Sequence, residues 1–181
     1  MFKKLLDTSG EDGAALIARL ALGIVILPHG MQKLLGLFGG YSFSSTVDFF
    51  TGIGVPAFIA VMIILGESFG SLFLVLGLIS RVSAAGIALI MLGAVFLVHL
   101  PNGFFMNWFG TQKGEGFEYH LLALGLALIV ILRGGGKWSL DEIIGENSCR
   151  PGILQDAKAG GYSLASYLCG SGREEWREIF K

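Results

Sequence analysis

Four apolar stretches organise the chain, over residues 13–35, 55–79, 82–100 and 117–132. A helix needs about 20 such residues to cross about 30 Å of hydrocarbon. Without water, backbone N–H and C=O groups must pair within the segment, so each stretch is predicted to be a helix. Only Ser80-Arg81 separates the second stretch from the third, which predicts an antiparallel hairpin with its turn at that pair. The fourth stretch is short: its apolar run, Leu121 to Leu132, has twelve residues, or about 18 Å of helix. Glu118, Tyr119 and His120 must therefore lie inside the bilayer or at its edge.

Small residues recur at sevenfold spacing along three of these stretches: Gly23 and Gly30, Gly70 and Gly77, Gly86 and Gly93. Gly66-x-x-x-Gly70 adds a close-approach pair. Helices in lipid associate by tight van der Waals packing, which small residues permit. The expectation is an all-α, integral-membrane four-helix bundle spanning residues 1–145, followed by a short polar tail, 146–181. In that tail Trp176, Ile179 and Phe180 share one helical face, consistent with a short amphipathic helix or with a frayed end.

Composition agrees. Of 181 residues, 53% are hydrophobic and 15% charged, against about 25% charged in an ordinary soluble domain. Net charge is −1 and there is no basic patch, so nucleic acid is not an expected partner; the bilayer is. Asp7, Glu11 and Asp12 separate Lys3 and Lys4 from the first apolar run, and no small-x-small cleavage site follows it. That start reads as a retained anchor rather than a signal peptide. Lys3, Lys4, Arg81, Arg133 and Lys137 flank one side of the spans, and Lys33 and Lys113 the other. The excess places both termini in the cytoplasm. Both outer loops are rich in aromatics, as at a membrane surface (Phe38, Tyr41, Phe43; Phe104, Trp108, Phe109). Cys149 and Cys169 lie in the tail, twenty positions apart, and read as two unpaired thiols.

Candidate chemistry lies in the polar residues of the spans, which raise a functional question by default. Glu67 stands about twelve residues into the second span. A carboxylate there must be paired or protonated, and Arg19 is its expected counter-ion, unless that arginine snorkels to the surface. His29, His99 and His120 come from three different spans, yet the topology brings all three toward the outer side. Glu118 and His120 point about 160° apart on a helix and so cannot hold one ion together. No His-x-x-x-His motif is present, and a metal site is not expected. The remaining choice is a polar pocket for a quinone head group or small anion, lined by His29, Gln32, Glu67, His99, Glu118 and His120, or a polar cluster that only ties helices together. No phosphate loop, nucleophile triad or haem-attachment motif is present.

Six short motifs, in order, resemble one family: Ala18-Arg19-Leu20, Pro28-His29-Gly30-Met31-Gln32-Lys33-Leu34, Gly66-Glu67, Leu78-Ile79-Ser80-Arg81, His99-Leu100-Pro101-Asn102-Gly103 and Gly116-Phe117-Glu118-Tyr119-His120. The chain is similar to the DoxX family of small bacterial four-helix membrane proteins, from about Gly13 to Glu142. The resemblance implies a plasma-membrane protein linked to sulfur and oxidative-stress redox systems, since the family is named for its similarity to a subunit of a thiosulfate:quinone oxidoreductase. The leading expectation is therefore a redox-associated subunit with a quinone-binding or small-ligand pocket in the outer half of the bilayer. It would work with redox partner proteins or as a homo-oligomer. Two other readings stay open: a scaffold recruiting partners through its tail, and a small-solute or proton pathway through Arg19, Glu67 and His29.

Overall fold

The computed structural model of the chain describes Thr8 and residues 11–147, the last three of these by backbone alone. The chain divides into two units, residues 1–142 and 143–181, and the candidate chemistry belongs entirely to the first. The expectations for Cys149, Cys169 and the Trp176 helix lie outside the described residues.

All regular structure among the described residues is helical. Helix α1 is Gly13–Leu35. After a single 3-10 turn, Leu37–Gly39, comes α2, Ser42–Gly52. Helix α3, Ala57–Leu65, runs through a π-helical turn, Gly66–Gly70, into α4, Ser71–Leu76. Helix α5, Ser80–Ala94, likewise passes through a π turn, Val95–His99, and ends in the 3-10 turn Leu100–Asn102. Helix α6 is Glu118–Arg133, and α7, Leu140–Asn147, begins after a short loop. Among the described residues, three continuous helical stretches are long and apolar enough to cross a membrane: Gly13–Leu35, Ala57–Leu76 and Ser80–Asn102.

Helix α1 packs against α4, the first π turn and α6, and α6 packs against α5. Their shared core is Ala18, Leu22, Ile26, Leu74, Ala84, Ile87, Met91, Ala123, Ala127 and Val130. The reverse faces are apolar as well, with Ile17, Leu89 and Leu122 all exposed. Apolar inside and out is the pattern of a helix bundle whose solvent is lipid.

The glycine pattern works on one side only. A Cβ on Gly30 would stand 2.6 Å from the Ser68 Cα, so α1 meets the first π turn backbone to backbone. Around Gly86 and Gly93 there is open space, and these two sit on the outer face of α5 instead of in the expected helix contact. Two further corrections concern the connections. The turn expected at Ser80-Arg81 falls at Gly77–Ile79, where both flanking residues are left-handed (φ 70° and 42°), and Ser80 already begins α5. The segment between the first and second stretches also contains a full helix, α2, whose period is masked by the polar residues of Ser42–Asp48.

At this end of the bundle lies Arg19, 1% exposed. It neither pairs with Glu67 nor snorkels. Its Nη1 donates to the carbonyls of Leu74 (2.8 Å) and Val75 (2.7 Å), and its Nε to that of Gly135 (2.8 Å). Leu74 and Val75 lie in the last turn of α4, where Leu74 O also accepts from Gly77 N (3.1 Å), and Gly135 lies in the loop after α6. Asp141 performs the opposite task. Its carboxylate accepts from Ile79 N (2.6 Å) and Ser80 N (2.8 Å), the open N–H groups at the start of α5. Arg81 caps α6 by donating to the carbonyls of Ile131 and Leu132. The turn itself caps α4, with Gly77 N and Leu78 N donating to the carbonyls of Leu74 (3.1 Å) and Phe73 (2.9 Å), and Arg19 and Asp141 tie down further backbone groups of the hairpin.

Helix α1 starts at an Asp N-cap, with Asp12 Oδ1 accepting from Ala15 N (3.0 Å) and Oδ2 from Arg133 (2.9 Å). The Ala15 bond first, and Arg133 second, hold the Asp12 carboxyl below its ordinary range. A depressed folded pKa contributes stability above the unfolded value, near 4, and that stability is lost as pH falls through the folded one. Thermal scans of wild type and Asp12→Ala against pH are expected to differ at neutrality and to converge below about pH 4.

Candidate functional site

The polar residues of the other end gather where α1 finishes. Because Gly30 lets α1 press on Ser68, Glu67 lies level with the last turns of α1 and is 3% exposed. Its carboxylate pairs with Lys33, whose side chain is 28% exposed. This replaces the expected Arg19–Glu67 pair: Arg19 sits about four turns of α1 away, held at the opposite end of the bundle. The reason is register. Counting from the start of the second stretch placed Glu67 deep, but α3 begins beyond the end of α1.

The π turn that carries Glu67 has a local cause. Ser68 Oγ donates back to Ile64 O (2.8 Å), and Ser71 Oγ to the carbonyls of Glu67 and Ser68. Such back-bonding supplies carbonyls that a widened turn leaves short of partners. The second π turn ends at His99, two residues before Pro101, which has no N–H and crowds the carbonyl of Leu97. Single π turns mark functional sites often enough to be informative; here each of two carries one ionisable residue.

The histidines do converge, through a residue absent from the expected pocket. His29 faces Tyr119, with ring centroids 6.1 Å apart. Tyr119 stands edge-on to His120 at 5.4 Å, and His120 lies 4.2 Å from His99. His99 Nδ1 is 2.8 Å from the carbonyl oxygen of Glu115, in the loop between α5 and α6. Glu67 lies within electrostatic reach of both His29 and Tyr119. The result is an unbroken row of rings from the Lys33–Glu67 pair to that loop. His29, exposed in the isolated chain, forms its flank.

Among the described residues, two buried atoms in this row have no partner: Tyr119 Oη and His120 Nδ1. Leaving such a group unmet costs about 1–3 kcal/mol, and orphaned polar atoms in a native core call for an explanation. A phenol donates. An imidazole nitrogen donates or accepts according to tautomer. Together they fit a ligand that carries oxygen at its rim.

The other two expected pocket residues are engaged elsewhere. Gln32 Nε2 donates to Phe38 O (3.2 Å), bracing the left-handed turn after α1. Glu118 Oε1 accepts from the Trp108 indole N–H (3.1 Å). Among the described residues, no three His, Cys, Asp or Glu side chains gather as a metal ion would require. Tyr119 was hidden because an aromatic at a membrane edge reads as an anchor; its neighbours in sequence, Glu118 and His120, were the only hint.

Fold and site define a class: a helical membrane protein with a part-buried ion pair and a histidine–tyrosine row at one end. Residues 14–100 match the DoxX family. The chain is 31% identical over 139 residues to "Putative oxidoreductase CatD" of Bacillus subtilis (strain 168), covering 77% of this chain and 92% of that one. It is 27% identical over 134 residues to "Inner membrane protein YqjF" of Escherichia coli (strain K12), covering 74% and 94%. A third relative, named as an uncharacterized membrane protein of Mycobacterium tuberculosis (strain ATCC 25618 / H37Rv), is 31% identical over 147 residues, covering 77% and 85%. No solved structure matches. The chain belongs to the DoxX family.

Proposed function

We propose that this protein is a plasma-membrane subunit of a redox system and that its ring row binds the head group of a quinone. In this reading α6 is a fourth crossing, both termini face the cytoplasm, and the row lies in the outer half of the bilayer. The observation that carries it is the pair of unmet polar atoms, Tyr119 Oη and His120 Nδ1, on neighbouring rings beside a part-buried ion pair. A quinone presents oxygens on a flat apolar ring, which suits aromatic neighbours and one or two hydrogen bonds. A bare helix-locking cluster would leave those two atoms without a purpose. The name of the Bacillus subtilis relative points the same way.

The residues divide the work. Tyr119 donates to a ligand oxygen. His120 takes either role at Nδ1, so it serves both a carbonyl and a hydroxyl. The Lys33–Glu67 pair fixes the polarity of the inner wall, and His29 closes the flank. Titration of the purified protein with a short-chain ubiquinone tests this. Each lost hydrogen bond is worth about 1–1.5 kcal/mol, so Tyr119→Phe is expected to weaken binding about tenfold. His120→Leu is expected to do the same. Unchanged affinity in both variants would remove the reading.

A further inference from the structure

We infer that His120 and His99 form the outlet through which the site gives up the proton of a bound hydroxyl, and that the proton leaves beneath the loop at Glu115. This rests on the quinone reading above and assigns it a direction. Its starting point is the tautomer of His99. A carbonyl oxygen only accepts, so His99 Nδ1, 2.8 Å from Glu115 O, carries hydrogen. In the neutral ring Nε2 is then bare and basic. That ring lies 4.2 Å from His120, the ring with the unmet Nδ1.

The step needs no other reactant. The O–H bond of a quinol or hydroxyquinone breaks as His120 Nδ1 takes its proton. His120 hands the hydrogen on its other nitrogen to His99 Nε2, and half-buried His99 loses one proton to water. One proton passes from ligand to solvent, and both rings return to their neutral form after a tautomer exchange. The groups that face this pair are Tyr119 and His29 from α6 and α1, Lys33 from α1, and the Glu115 and Asn102 side of the loop contact. Asn102 Nδ2 also donates to Glu115 O (3.2 Å), so that carbonyl is held in place whether or not His99 is charged. The loop itself is fixed around it, with Glu118 N donating to Phe104 O (2.9 Å) and Asn107 N to Glu115 Oε2 (2.7 Å). At the opposite end of the row, Glu67 is already held in an ion pair with Lys33.

The probe is 2-hydroxy-1,4-naphthoquinone, whose ionised form absorbs visible light. After a jump from acid to neutral pH, the probe bound to wild type is expected to ionise about a hundredfold faster than when bound to His99→Gln, because only the wild type has a base there to pass the proton on to water. Glutamine keeps a donor for Glu115 O but is not a base. Equal rates in the two proteins would overturn the outlet while leaving quinone binding intact, whereas no binding of the probe to wild type would overturn both. A second readout needs no variant: nitrogen NMR of labelled wild type should show neutral His99 protonated on Nδ1, and an Nε2-protonated ring would overturn the inference.

Discussion

Arg19→Met is expected to destabilise the fold by about 3–5 kcal/mol, the usual cost of removing one member of a buried charged network. Methionine fills much of the volume, so the loss is electrostatic. The carbonyls of Val75 and Gly135 lose the guanidinium donor, and that of Leu74 keeps only the N–H of Gly77. Asp141, 1% exposed, loses the positive charge that acts on it from α1. Arg19→Lys is not expected to rescue, because an ammonium cannot reach three carbonyls in the planar fork that a guanidinium provides. Gly77 packs against the same guanidinium carbon, which leaves no space for a differently shaped group. Thermal midpoints of the detergent-solubilised variants check this. A midpoint equal to wild type for the methionine variant would show that these bonds are not what closes the hairpin.

The second large effect is an asymmetry within the Lys33–Glu67 pair. Lys33→Met leaves a 3%-exposed carboxylate without its partner and is expected to cost about 3 kcal/mol or force the group to take a proton. Glu67→Gln costs less, about 1 kcal/mol, because the freed lysine is already part-exposed at the end of α1 and can turn its head to the surface. Replacing both, as Lys33→Met with Glu67→Leu, is expected to recover most of the loss, since an apolar pair removes both desolvation penalties. Stability measured around this double-mutant cycle checks it. Equal costs for the two single variants would mean that burial is not what distinguishes the partners.

These two ends of the molecule show what the sequence could and could not reveal. Hydrophobic periodicity marked every long helix to within a few residues, since lipid demands a continuous apolar segment and α1 spans the same residues as its stretch. It could not give the register between helices. That one unknown decided the partner of Glu67: Lys33 lies on the same stripe of α1 as Arg19, and only the contact of Gly30 with Ser68 selects between them. The capping role of Asp141 was equally hidden, because it sits 62 residues from the N–H group of Ile79 that it satisfies. The three histidines were legible as a group, since each falls near the same end of its span. Tyr119, the ring that joins His29 to the other two, was not, because nothing in its position separates a connecting ring from an anchor at the membrane surface.

The central claim is that the unmet atoms of Tyr119 and His120 await an oxygen-bearing ring. Titrating a short-chain ubiquinone into the lipid-reconstituted protein, followed through its intrinsic tryptophan emission, tests it most directly. Saturable binding that weakens about tenfold in Tyr119→Phe is the expected result. Binding of the same affinity in wild type, Tyr119→Phe and His120→Leu would contradict the account, as would no saturable binding at all.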